Sequence, residues 1–188
     1  MLSTITFLLL ILSPIIIGAP SSSFQFLDCG GPEAIVKFTD VSISPSPVYF
    51  DNEGESTIVY KIASDLPAET SFYVDTWTGN RLSEANNLKD DERTPCLFGP
   101  ACEFSICDWM TMEFDSCMKY HNSESYCKCP VKAGIRSDVG EKFIMASQSQ
   151  FPSWFNSGTY TARFTIIDAA RKQIGCLLMS GSIATKSN

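Results

Sequence analysis

Histidine is nearly absent from this chain: His121 is the only one in 188 residues. Hydrolases that pair a nucleophile with a base use histidine most often. No Gly-x-Ser-x-Gly turn accompanies it, so the nucleophile-elbow signature is also missing. His121 stands beside Asn122 and Ser123 in a cysteine-dense segment and reads as an exposed loop histidine. Positive charge is scarce as well: 14 Lys and Arg stand against 21 Asp and Glu, a net charge of −7. That balance argues against a nucleic-acid partner, whose phosphates are held by Lys and Arg. It argues equally against simple electrostatic adhesion to anionic lipid at neutral pH. In an acidic lumen part of this charge would be neutralised, because carboxylates titrate near pH ~4. Asp90-Asp91-Glu92 sits among Asn and Lys and reads as a solvated charge run, not a glycosidase acid–base pair. The chain holds no Asn-x-Ser/Thr sequon.

Long apolar runs are missing, with one exception at residues 7–17. A membrane span takes about 20 apolar residues, and this run is shorter. It ends at Gly18 and Ala19, which fits the core of a signal peptide cleaved between Gly18 and Ser23. Residues 1–20 are therefore expected to be a signal peptide, and residues 24–186 a single domain. Secretory routing follows, with the lysosome or the extracellular space as destination.

Cysteine, by contrast, is plentiful. Of eight, six lie between Cys96 and Cys129, while Cys29 and Cys176 flank them near the two ends of the domain. An even count behind a secretory leader reads as a disulfide framework, although eight cysteines leave about 100 pairings open. Cys127-Lys128-Cys129 has a one-residue spacer, whereas zinc sites favour two to four and redox pairs favour two. Structural disulfides are expected there, each cysteine of an extended segment bridging a different partner. No metal and no cofactor are expected.

Period-two alternation marks the strands. Residues 34–44 place Val41 and Ile43 on one face. In residues 56–63, Ile58, Tyr60 and Ile62 oppose Val59 and Lys61. In residues 70–77, Phe72 and Val74 oppose Tyr73, Asp75 and Trp77. Residues 140–146 form a short strand candidate. Tyr160, Ala162, Phe164 and Ile166 share a face of residues 158–168, and residues 173–183 return as a strand carrying Cys176. Short strands separated by turns predict an all-β, two-sheet sandwich or cup. Residues 79–93 are polar and read as a loop.

Residues 102–114 are the exception to the β pattern. Ile106, Trp109, Met110 and Glu113 recur at helical spacing, with Met112 and Phe114 alongside. Trp109, Met110, Met112 and Phe114 are assigned to a binding surface, because exposed apolar patches mark interaction sites. Phe104, Ile106, Trp77 and the uncharged stretch Phe151-Pro152-Ser153-Trp154-Phe155 extend that assignment. The candidate cavity wall is Phe72, Val74, Tyr160, Phe164 and Ile166, although alternation alone does not say which face is interior.

Several segments together carry a resemblance. They are Phe24 to Cys29, Cys102 to Met110, Cys127 to Gly134, Phe151 to Tyr160 and Arg171 to Cys176. Jointly they resemble the ganglioside-activator family of ML lipid-recognition domains, lysosomal cofactors of β-hexosaminidase A, over residues 24–183. The resemblance implies a β-cup with an apolar cavity. It implies the pairings Cys29–Cys176, Cys96–Cys102, Cys107–Cys129 and Cys117–Cys127. It implies no catalysis by the chain itself. The implied partners are a glycosphingolipid or phospholipid, a membrane surface touched transiently, and a soluble hydrolase of the β-hexosaminidase type. The chain departs from that family in a longer, more polar segment over residues 78–93 and a shorter one between Cys107 and Cys117.

Overall fold

The structure is a computed structural model that describes residues 23–97 and 102–186. The expected signal peptide lies outside the described residues. Among the described residues, nine strands and a helical segment are arranged in chain order. The strands are β1 (Gln25–Asp28), β2 (Val36–Ser44), β3 (Val48–Tyr49), β4 (Glu53–Ile62), β5 (Ser71–Thr78), β6 (Glu103–Ser105), β7 (Gly134–Ile144), β8 (Gly158–Ile167) and β9 (Gln173–Ala184). The helices are α1 (Ile106–Met112), α2 (Phe114–His121) and α3 (Glu124–Cys127).

The strands form two sheets. One runs β1-β9-β8-β5-β6, with β3 joining β9 in parallel; the other runs β2-β4-β7. All other pairings are antiparallel. The predicted alternation becomes the inner faces of this sandwich. Ile58, Tyr60 and Ile62 on β4 look towards Phe72 and Val74 on β5 and Phe164 and Ile166 on β8 across one interior space. Val36, Ile62, Leu66, Val131, Ile166 and Ile174 form a buried apolar cluster, and all but Ile174 line that space. Burying such side chains contributes about 1.5–3 kcal/mol each.

The strand expected at residues 140–146 is the end of a longer strand, β7. Gly140 interrupts it at φ +69, a backbone state that glycine adopts without a Cβ penalty. At that point β4 pairs Ser56 with Glu141 but Ile58 with Asp138, so β7 carries one extra residue. This bulge turns Asp138 and Glu141 to the same side.

The helical segment differs from expectation. Residues 103–105 pair with β5 as β6 before the helix begins. Ser105 caps α1, its hydroxyl accepting from the Asp108 N–H at 3.2 Å. α2 follows at once and ends on Asn122 in the left-handed region, φ 47. It escaped the sequence reading because Asp115, Lys119 and His121 dilute its apolar pattern. Cys127 closes α3 rather than lying in a strand, and the chain leaves the helix before Cys129, so the two reach different partners, Cys117 and Cys107; in a strand, residues two apart would share a face.

All four disulfides form as the resemblance implies. Cys29–Cys176 ties the end of β1 to β9, and Cys96–Cys102 clips the approach to β6. Cys107–Cys129 and Cys117–Cys127 bind the three helices to one another and to the segment before β7. No helix among the described residues is long and apolar enough to cross a membrane.

Candidate functional site: a cavity between the sheets

A cavity of about 550 Å³ lies between the two sheets and beneath the helices. Its walls are chiefly apolar. β2 contributes Val36 and Phe38, β4 contributes Ile58, Tyr60 and Ile62, and β5 contributes Phe72 and Val74. Phe164, Ile166, Leu177 and Met179 come from β8 and β9. Phe104, Ile106, Trp109 and Met110 close the side formed by β6 and α1.

The predicted site residues therefore divide. Trp109, Met110, Phe104 and Ile106 line the cavity, as do Phe72, Val74, Phe164 and Ile166. Trp109 is 44 % exposed, which puts it at the boundary of cavity and solvent. Its ring meets Phe72 and Phe104 edge-on, at 6.0 and 6.3 Å. Met112 is 69 % exposed on the outer side of α1. Phe114 is half-buried, with the Lys128 ammonium over its ring at 5.6 Å.

Trp77 does not belong to a rim. It is fully buried on the other face of β5, where alternation puts it with Tyr73 and Asp75. Its Nε1 donates to the Lys89 carbonyl at 3.0 Å, and the Arg163 guanidinium lies over its ring at 5.0 Å. The polar segment 79–93 thus serves as its cover. Arg93 and Arg163 both pair with Asp75 nearby, at 2.6 and 3.0 Å.

Phe151, Trp154 and Phe155 also sit away from this cavity. They pack with Phe50, and Tyr160 joins them rather than the cavity wall. Strand register explains this. Phe72 pairs with Ile166, close to Trp109, whereas Tyr160 pairs with Thr78 at the opposite end of the same two strands. Tyr160 instead fixes its own loop: the Asn156 N–H donates to its hydroxyl, which donates to the Asn156 carbonyl, both at 3.0 Å.

One wall of the cavity is polar, and sequence reasoning missed it. His121 lies on α2 and faces the cavity; it is not an exposed loop residue. Its Nε2 is 2.8 Å from Asp138 and 3.4 Å from Glu141. Tyr126 stacks on its ring at 4.1 Å and donates its hydroxyl to Asp138 at 2.8 Å. The buried Arg136 covers the Tyr126 ring at 4.0 Å and donates to the Tyr126 carbonyl at 2.5 Å. Burial, and then Asp138, pushes the Glu141 carboxyl above the usual range. Burial pushes the Tyr60 phenol up to about 12, with Asp138 adding to it. Tyr126 is raised as well, by burial and then by its bond to Asp138. The signal that could have found this wall was the Arg136-x-Asp138 spacing, which puts both on one face of a strand.

The sequence model of the ML domain family matches residues 23–183. No curated protein matches the chain. Among solved structures, a Niemann-Pick type C2 protein from the Japanese carpenter ant is 14% identical, with TM-score 0.43, covering 85% of this chain and 98% of that one. Chicken MD-1, solved with lipid IVa, is 10% identical, with TM-score 0.39 and the same coverage of 85% and 98%. The family match spans both sheets, the helices and the cavity they enclose, and this chain belongs to the ML domain family.

Proposed function

We propose that this chain is a non-catalytic lipid-transfer protein. It draws a glycosphingolipid or phospholipid from a membrane, holds the hydrocarbon between its sheets and presents the headgroup to a soluble glycosidase of the β-hexosaminidase type. The observation that carries this reading is the apolar cavity of about 550 Å³ with Trp109 at its boundary. Hydrocarbon burial contributes about 0.8 kcal/mol per CH₂, so a lipid with about 30 such groups lies roughly 24 kcal/mol down in a bilayer relative to water. Passage through water is too slow at that cost. A carrier must dock on the membrane and offer walls as apolar as the bilayer. Trp109, Met110 and the outward Met112 supply such an edge, and methionine adapts to varied acyl chains. Secretory routing to the lysosome or the cell exterior is part of the same proposal.

A second reading is a phospholipid or sterol carrier with no hydrolase partner. The polar segment 79–93 favours it, because that segment covers Trp77 instead of adding an apolar loop to the rim. Mass spectrometry of lipid co-purifying with the protein, with a β-hexosaminidase stimulation assay, separates the two. Glycosphingolipid and stimulation support the first reading. Phospholipid or sterol without stimulation supports the second. Lipid turnover without any added hydrolase contradicts both.

A further inference from the structure

We propose that His121, Asp138 and Glu141 form a binding site for a divalent transition-metal cation of the zinc class, bridging α2 to β7 in the polar wall of the cavity. One ligand atom from each residue lies within 4.8 Å of the others. Ligands at 2.0–2.1 Å on a tetrahedral zinc stand about 3.4 Å apart. His121 Nε2 stands at that separation from Glu141, 3.4 Å, and closer to Asp138, 2.8 Å.

An ordinary ion pair accounts for this cluster less well. Nε2 has a single bonding direction in the plane of its ring, yet oxygens from two residues approach it. One proton serves Asp138 at 2.8 Å; Glu141 at 3.4 Å lies beyond good hydrogen-bond length. A cation among the three atoms serves all of them at once. It also balances two carboxylates brought together by the Gly140 bulge.

The surroundings are those of a prepared site. The side chains of His121, Asp138 and Glu141 are 17%, 23% and 33% exposed, so they are partly dry. Tyr126 fixes the imidazole plane by stacking and orients Asp138 through its hydroxyl, as outer groups do around protein-bound metals. Arg136 is directed at the Tyr126 ring and carbonyl. Imidazole with carboxylate oxygens suits zinc and its neighbours better than calcium or magnesium. Three protein ligands leave one position open, facing the cavity, for water or an oxygen of the bound lipid's headgroup.

The test needs no lipid and no hydrolase, so it stands apart from the function proposed above. Untagged, disulfide-intact protein freed of metal by a chelator is titrated with ZnCl₂ by calorimetry at neutral pH. A parallel titration with Co²⁺ reads the visible bands of a four-coordinate site. The wild type takes up one Zn²⁺ per chain saturably. His121→Ala and Asp138→Asn each weaken binding at least tenfold, and the exposed Asp65→Asn leaves it unchanged. Glu141→Gln keeps the side chain's size and guards against a misfolded alanine variant; it too weakens binding. Absence of saturable binding in the wild type overturns the proposal. So does wild-type affinity in His121, Asp138 and Glu141 variants that keep the native circular dichroism.

Discussion

Trp109 meets Phe72 edge-on, with ring centroids 6.0 Å apart and planes at 82°. This contact seats the exposed edge of α1 on β5, the strand whose Val74 lines the cavity behind it. Aromatic pairs of this kind contribute about 0.5–1.5 kcal/mol beyond their area. Trp109→Ala is therefore expected to cost about 1 kcal/mol in denaturant unfolding. The larger effect falls on lipid transfer between vesicles, which drops several-fold. Met110→Ala acts in the same direction. Unchanged transfer in both variants would remove them from the rim.

Trp77 gives the opposite pattern. Its side chain is fully buried beneath Arg163 and the 79–93 segment, outside the cavity. Trp77→Ala is expected to destabilise the fold by about 3–5 kcal/mol, as large-to-small core changes do. Under conditions where the variant remains folded, lipid binding stays at the wild-type level. A selective loss of binding with intact stability would contradict this placement.

These two tryptophans show how far the sequence could be read. Alternation correctly grouped Phe72 with Val74 and Phe164 with Ile166, and all four line the cavity. It also set Trp77 on the other face of β5, but its size drew it into the rim assignment. What covers that face is a loop, and period-two patterning carries no information about loops. Tyr160 shares the face of Phe164, yet distance along the strand takes it to a different cluster. The polar wall was illegible for another reason. His121 lies on a helix too polar to announce itself, and Asp138 and Glu141 come together only through a bulge at Gly140. The helix at Trp109 and Met110 was legible because its apolar spacing is helical.

The disulfides divide by loop length. Cys29–Cys176 closes a separation of 147 residues and Cys96–Cys102 only 6. Chain entropy assigns about 5 kcal/mol to the former and about 2 kcal/mol to the latter. Replacing each pair by alanine should therefore lower the urea midpoint much more for Cys29/Cys176. Equal losses would show that the short clip acts through the native structure of β6 instead.

Tyr60 supplies a pH test. Its folded-state phenol is raised from 10.0 to about 12, first by burial and then by Asp138. A raised phenol favours its protonated form in the fold. Its contribution to stability is thus complete below pH 10.0 and is lost as pH climbs from 10.0 to about 12. Tyr60→Phe is expected to flatten the fall of stability over that interval. In ultraviolet titration, the ionisation that is lost in Tyr60→Phe falls near pH 12 in the wild type. An early, ordinary ionisation of Tyr60 would place it outside the wall.

Hydrocarbon is expected to occupy the space between the sheets. Native mass spectrometry after incubation with mixed-lipid vesicles tests it most directly, comparing wild type with Ile58→Trp, which fills the cavity from β4. The wild type is expected to give a saturable lipid adduct of one molecule per chain, reduced at least tenfold in a folded Ile58→Trp protein. No adduct in the wild type, or an undiminished adduct in the filled variant, would contradict it.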